Sequence, residues 1–188
     1  MAMAQPHRGM DPATTNPTTN PRVRLEPLGR DNLAQARRLN ALLFPVRYSE
    51  CVYRKMVVAG KFSQLAYFGN VCVGTVGCTT QPLVQGTMGP LQLYIMTLGV
   101  LAPYRRLGIG SALLQHILQQ VAITNHEATD PVDTISQIAL HVQIDNEEAL
   151  QFYQRHGFEA AGIEQNYYQR MSPSDAFILV KTVAPVQQ

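Results

Sequence analysis

Apolar residues recur at two spacings along this chain, and the spacings divide it into strands and helices. Val23 and Leu25 alternate with polar neighbours across residues 22–27, a first strand. Residues 32–43 carry the helical period behind Asp31, a residue type that caps helices, and Pro45 ends the run. Ser49 is placed to cap a second helix that reaches Ala59 and closes at Gly60. Residues 62–68 and 71–79 read as two strands around a tight Gly69-Asn70 turn. Residues 81–90, with two prolines and two glycines, read as a loop. Leu91 to Leu98 returns to strand composition, and residues 99–104 form a Gly/Pro/aromatic turn. A basic glycine turn follows, Arg105-Arg106-Leu107-Gly108-Ile109-Gly110. It leads from Ser111 into a helix with apolar positions at 113, 114, 117, 118 and 121.

The polar, acidic stretch 124–134 reads as an exposed loop, and Ile135–Gln143 as the next strand. On that strand Ile138, Leu140 and Val142 share one face, and Ala139, His141 and Gln143 the other. Asp145 or Asn146 caps a helix over 147–156, which Gly157 terminates. Residues 158–164 and 176–183 are closing strands around an aromatic loop, Asn166 to Pro173. The order is β-α-α-β-β-β-α-β-α-β-β. Strands four and five are joined through a helix, so they are expected to be parallel with a right-handed crossover. The remaining connections are hairpin-like. The prediction is an α/β fold, a mixed and mostly antiparallel sheet of about seven strands with helices on both faces.

Composition narrows the class. A chain of 188 residues with 46% hydrophobic content suits one domain, which at this size buries roughly 70% of its unfolded surface. The domain is expected over 21–183, between a Pro/Thr/Asn-rich tail of disordered composition at 1–20 and a short tail at 184–188. The formal net charge of +2 is too small for a nucleic-acid footprint. Three cysteines, Cys51, Cys72 and Cys78, fit no zinc spacing, and reduced thiols suit a cytoplasmic protein. Residues 62–104 contain no Asp, Glu, Lys or Arg. Glycines and prolines break this run into pieces shorter than the ~20 apolar residues of a membrane span. Successive buried strands explain it better.

The basic glycine turn carries the first chemical signal. A helix start presents unpaired N–H groups and the positive end of its dipole. Glycines there let an anion approach the backbone, and Arg105 and Arg106 add charge. Strand, turn and helix together suit a phosphate or pyrophosphate. The apolar loop Phe44-Pro45-Val46-Arg47-Tyr48 lies between two helices, as core packing or as the wall of an apolar pocket.

Arg105-Arg106-Leu107-Gly108-Ile109-Gly110 between strand and helix resembles the acetyl-CoA motif of the GCN5-related N-acetyltransferase (GNAT) superfamily. Asn146, Ala149, Phe152, Tyr153, Gly157 and Phe158 match its second signature. Leu43–Tyr48, Tyr94–Arg106, Leu140–Gln143 and Asn166–Tyr168 are similar to the branch of N-alpha-acetyltransferase 50, the NatE catalytic subunits. The resemblance runs from about Val23 to Lys181. It implies a GNAT fold whose fourth and fifth strands splay around acetyl-CoA, with no metal. It implies cofactor contacts from Leu98, Val100, Arg105, Arg106, Leu107, Gly108, Ile109, Gly110, Ser111, Asn146 and Tyr153. It assigns peptide binding to Phe44, Pro45, Val46, Tyr48, Met96, Tyr167, Tyr168 and Met171.

The reaction so implied is direct acetyl transfer to a peptide or nascent-chain α-amino group, with methionine and then a hydrophobic residue at the N-terminus. At cytosolic pH an α-amine is roughly a quarter to a third neutral, and a lysine ε-amine about a thousandth. The resemblance assigns proton transfer to Tyr94 and His141. Histidine titrates in the useful range; a tyrosine needs a lowered pKa or a relay water to accept a proton. No acidic cluster lines the peptide loops, which argues against polycationic small amines. The resemblance further implies NatA catalytic and auxiliary subunits as partners at the ribosome, with a cytoplasmic and nuclear location. Two alternatives stay open on the same fold: a non-catalytic CoA-binding scaffold subunit, and an internal-lysine or small-amine acetyltransferase.

Overall fold

The computed structural model describes residues 20, 22–169 and 171–183. The two tails assigned from composition lie outside the described residues, Asn20 apart. Seven strands form one sheet: β1 (Val23–Pro27), β2 (Gln64–Phe68), β3 (Val71–Pro82), β4 (Leu91–Val100), β5 (Ile135–Gln143), β6 (Glu159–Glu164) and β7 (Ala176–Thr182). Four α-helices accompany them: α1 (Leu33–Leu43), α2 (Glu50–Val58), α3 (Ile109–Glu127) and α4 (Glu147–Arg155). The strand order is β1-β2-β3-β4-β5-β7-β6. Among the described residues only the β4–β5 pair is parallel, as a crossover through α3 allows.

The sheet separates two apolar clusters. On one face Leu113, Leu114 and Ile117 of α3 pack with Ile138, Leu140 and Val142 of β5 and with Tyr153 of α4. These α3 side chains have no exposed surface, and truncation of any one to alanine would cost about 2–5 kcal/mol. On the other face Ala36 of α1, with Tyr53 and Met56 of α2, packs against Leu65 and Tyr67 of β2. The two periods in the sequence are thus the inner faces of strands and helices.

Several boundaries differ from those the sequence predicts, each for a local reason. Asn32, not Asp31, precedes α1, and its side chain caps no helical N–H. Instead its Oδ1 accepts from Gly29 N–H at 2.9 Å and its Nδ2 donates to Pro27 O at 3.0 Å, closing the turn out of β1. Ser49 precedes α2 in extended geometry, also without a side-chain cap bond. Residues 60–62 form a 3-10 turn, so β2 starts at Gln64. β3 runs on to Pro82, which shortens the expected loop to residues 83–90. Gly99 and Val100 pair with Thr75 and Gly74, so β4 outlasts the expected turn. The helix α3 continues to Glu127 through the start of the expected loop. Asn125 secures that end, accepting from Ile135 N–H at 2.7 Å and donating to Ile135 O at 2.8 Å.

One irregularity shapes everything downstream. Cys78 pairs with Ile95 and Gly77 with Thr97, leaving Met96 as a bulge in β4. The bulge shifts side-chain alternation by one and bends the strand. Ile95, Leu98 and Val100 all pack in the α3-side cluster, whereas Met96 packs in the α1–α2 cluster. Gly99 turns towards α1, where a Cβ would lie 2.9 Å from Phe44 Cζ and 3.1 Å from Leu43 Cδ1. Glycine at 99 therefore sets where α1 ends and where the following loop begins. Gly99→Ala is expected to cost about 1–3 kcal/mol, lowering Tm by several degrees at this chain length. Thermal unfolding followed by circular dichroism checks this, and an unchanged Tm would show that Phe44 moves aside freely.

Candidate active site

β4 and β5 pair only from Leu91–Ile135 to Tyr94–Ala139. Beyond that point β4 stays with β3 as far as Val100, while β5 stays with β7 to the Gln143–Ala176 pair. The strands part, and a cleft of about 840 Å3 opens between them.

One end of the cleft is an anion cradle. Arg106 and Gly108 both adopt left-handed backbone, at φ +63° and +82°, a local geometry in which successive N–H groups converge. The first helical bond of α3 runs from Ala112 N–H to Gly108 O at 2.9 Å. Among the described residues, the N–H groups of Ile109, Gly110 and Ser111 have no backbone acceptor, and they sit at the positive end of a 19-residue helix. Around the missing Cβ of Gly108 there is no atom within 4 Å, whereas that of Gly110 faces the Phe152 ring at 3.6 Å. Arg105 donates from Nε to Val100 O at 3.2 Å and lies 3.8 Å from Glu148. Of the expected cofactor residues, Leu98, Val100, Arg105, Arg106, Gly108, Ile109, Gly110, Ser111, Asn146 and Tyr153 line the cleft. Leu107 is absent from the lining and is exposed, because the left-handed Arg106 and Gly108 on either side turn that residue outward. Asn146 caps α4, accepting from Ala149 N–H at 3.1 Å. Phe152 and Arg155 also line the cleft; they lie on α4 at helical spacing from Ala149, the signal that could have found them.

The other end is aromatic. Phe44, Pro45, Val46 and Tyr48 from the α1–α2 loop, Met96 from the bulge, and Tyr168 and Met171 from the β6–β7 loop share the lining. Phe44 and Tyr48 meet edge to face at 6.0 Å, and Tyr48 meets Tyr53 at 6.4 Å. Gln143 donates from Nε2 to Pro173 O at 2.7 Å, which pins the β6–β7 loop to β5.

His141 lines the cleft between the two ends. Tyr94 and Tyr167 do not line it; they stand directly against His141. The Tyr94 hydroxyl lies 2.8 Å from His141 Nδ1 and 2.8 Å from the Tyr167 hydroxyl. The Tyr167 ring stacks flat on the imidazole, with centroids 4.1 Å apart and 2° between planes. Tyr94, Ala139 and His141 share one sheet face through the last paired position, which is why two residues 47 apart in sequence meet. The His141 Nε2 lies 2.7 Å from Glu164 Oε2. One carboxylate thus reaches the site, and no periodicity in the sequence marks it.

Residues 33–158 match the acetyltransferase (GNAT) family. The chain is 41% identical to N-alpha-acetyltransferase 50 of Danio rerio over 162 residues, covering 86% of this chain and 89% of that protein. It is 40% identical to the probable N-acetyltransferase san of Drosophila melanogaster over 152 residues, 81% of this chain and 76% of that one. Among solved structures, Arabidopsis thaliana Naa50 in complex with the bisubstrate analogue CoA-Ac-MVNAL superposes with a TM-score of 0.76 at 41% identity. That match covers 86% of this chain and 99% of the other.

The phenols in and around the site resist ionisation. Burial first, then the neighbouring Tyr167, hold the Tyr94 hydroxyl well above the usual tyrosine value. Tyr94 thus has a raised pKa, not the lowered one a phenolate base would need. Burial likewise raises Tyr48 and Tyr153, and Tyr168 is pushed up to about 12. A folded pKa above the unfolded value of about 10 favours the folded state fully below pH 10, and the benefit fades as pH climbs through the folded values. Stability against urea is therefore expected to hold steady from pH 8 to 9 with respect to these groups and to fall by pH 11. Absorbance at 295 nm should show phenolate appearing only with unfolding for the buried set. Full phenolate formation at pH 10.5 in folded protein would contradict this.

Proposed function

The chain belongs to the acetyltransferase (GNAT) family, and we propose that it works as a protein N-terminal acetyltransferase in which Tyr94 and His141 move the proton. The observation that carries the reading is the direct Tyr94–His141 hydrogen bond at 2.8 Å, set at the fork of β4 and β5 between an anion cradle and an aromatic pocket.

The cleft fits acetyl-CoA in size and chemistry. The free N–H groups from Arg106 to Ser111 suit its pyrophosphate, and the β4 edge at Leu98 and Val100, no longer paired to β5, offers backbone groups to the pantetheine arm. Asn146 and Tyr153 on α4 close the opposite wall. When bound there, the cosubstrate supplies an acetyl group as a reactive thioester. A main-chain N–H of the unpaired β4 segment is placed to support oxygen charge as the carbonyl is attacked.

The chain's own task is to take a proton from the amine. Tyr94 keeps its hydroxyl proton at working pH and donates it to His141 Nδ1. Tyr94 stands behind the cleft lining, so a water bridges it to the amine. As that water takes a proton from the nucleophilic nitrogen and passes one to the Tyr94 oxygen, the Tyr94 proton moves to His141. The phenol ends as it began and the imidazole carries the charge. A positioned base of this kind contributes about 10²–10⁴-fold.

The pocket favours an uncharged first residue. Phe44, Val46, Met96 and Met171 supply apolar surface, and the Tyr48 hydroxyl is available to the peptide backbone, whereas the Tyr168 hydroxyl donates to His141 O at 3.4 Å and offers its oxygen as an acceptor. The Arabidopsis relative carries an analogue with a peptide part that begins Met-Val, which supports methionine followed by a hydrophobic residue as the preferred start. The family resemblance supports NatA-type subunits as partners, and work on nascent chains in the cytoplasm and nucleus.

Tyr94→Phe and His141→Ala are each expected to lower kcat on a Met-Leu peptide about 10²–10⁴-fold while acetyl-CoA affinity survives, measured by steady-state kinetics and CoA-release titration. Near wild-type turnover in both variants would remove the proposed proton path. On unmodified enzyme, the Met-Leu peptide should outpace a Ser-starting peptide and an N-terminally blocked lysine peptide; faster reaction with the lysine peptide would overturn the substrate class.

A further inference from the structure

We infer that Glu164 is a positioning residue for the proton path: it fixes the tautomer and plane of His141, so that Nδ1 always faces the Tyr94 hydroxyl as an acceptor. The inference rests on the role proposed above for Tyr94 and His141.

An imidazole can present its lone pair on either nitrogen. Only one choice serves the relay, because Nδ1 must be free to accept from Tyr94. A carboxylate accepts and does not donate. With Glu164 Oε2 at 2.7 Å from Nε2, the ring hydrogen is held on Nε2 and points at Glu164. The Tyr167 ring, stacked at 4.1 Å and 2°, prevents rotation out of plane. Tyr94, Glu164 and Tyr167 therefore constrain the imidazole at one nitrogen, at the other, and on its face. The imidazole is mostly buried, its side chain 13% exposed, while Glu164 is 50% exposed. The carboxylate keeps contact with water and reaches inward to a sheltered ring.

The backbone explains how an edge residue arrives there. His141 of β5 stands opposite Ile178 of β7, and Gln143 opposite Ala176. On the far side of β7, Gly162 stands opposite Ile178 and Glu164 opposite Ala176. Directly opposed residues share a face, so His141 and Glu164 lie on the same side of the sheet, two strands apart. A register shift between Ala160 and Gly162 brings this about. Glu159 and Glu164, five residues apart, would point to opposite faces in a regular strand; across the bulge at Ala161 both face the His141 side. Ala176, which stands opposite Glu164 on β7, carries only a methyl and leaves room for the Glu164 arm to lean across towards His141.

The step itself balances without a new reactant. One proton leaves the amine and one arrives at Nδ1, and Nε2 keeps its hydrogen throughout, donated to Glu164. When the ring becomes an imidazolium, its charge faces a carboxylate.

The test uses full-length enzyme with acetyl-CoA and the Met-Leu peptide. Glu164→Ala is expected to lower kcat about tenfold, well short of the ~10⁴-fold of a fully buried orienting carboxylate, with KM for acetyl-CoA unchanged. Glu164→Gln, whose amide oxygen can still accept from Nε2, should recover most of that loss. Nitrogen-15 spectra of the imidazole should show the Nε2–H form in wild type and Glu164→Gln, and a mixture in Glu164→Ala. Wild-type kcat in Glu164→Ala, or an unchanged tautomer, would overturn the inference. So would a loss in Glu164→Ala accompanied by a matching rise in KM for acetyl-CoA, which marks general disturbance. An inactive wild type would instead count against the proposed function, and the spectra would still test the contact.

Discussion

The hydrogen bond between Tyr94 and His141 spans the fork where two parallel strands part, and the rest of the site is arranged around that fork. β4 is committed to β3 up to Val100, and β5 to β7 up to Gln143. The bulge at Met96 bends β4 away just beyond Tyr94, its last residue paired to β5. Without the bend the strands would satisfy one another's backbone, and no cleft would form. With it, backbone groups are freed on the β4 edge, and a polar contact from the last shared row of side chains closes the crotch.

Each flanking element adds one property to the fork. The left-handed Arg106 and Gly108 start α3 with its free amides facing the cleft. Gly99 admits Phe44 against the sheet, and so brings the α1–α2 loop over the aromatic end. Gln143 ties down the β6–β7 loop, which carries Tyr167 and Tyr168. Burial holds the Tyr94 hydroxyl above the usual tyrosine value, which suits the proposed role of a neutral hydroxyl in a relay better than that of a phenolate base.

Much of this was readable from residue pattern. The seven strands and four helices of the described residues appear in the predicted order, because most have a regular apolar period, and the exposed β6 is marked off by Gly157 and the aromatic loop that follows it. The glycine turn before α3 follows from local motif; topology sets Tyr94 and His141 on adjacent strands, and the family resemblance is what pairs the two residues. What escaped depends on irregularity. The bulges at Met96 and Ala161 alter which face a side chain occupies, and a one-residue slip leaves no compositional trace. Glu164 ends a strand exposed along its whole length, so no local pattern marks it as a site residue. Asn32 and Asn125 spend their side chains on backbone groups outside their helices, at Gly29, Pro27 and Ile135, and residue type alone does not say whether an asparagine caps a helix or closes a turn. Leu107 fell within the motif but outside the cleft, because the two left-handed residues beside it turn it outward.

The central claim is that Tyr94 and His141 act as one unit through their shared hydrogen bond. The direct measurement is kcat for Tyr94→Phe, His141→Ala and the double variant on a single Met-Leu peptide. Groups that work only together lose their function once, so the double variant should be no slower than the slower single variant. Losses that multiply, giving independent contributions from the two side chains, would contradict a shared proton path.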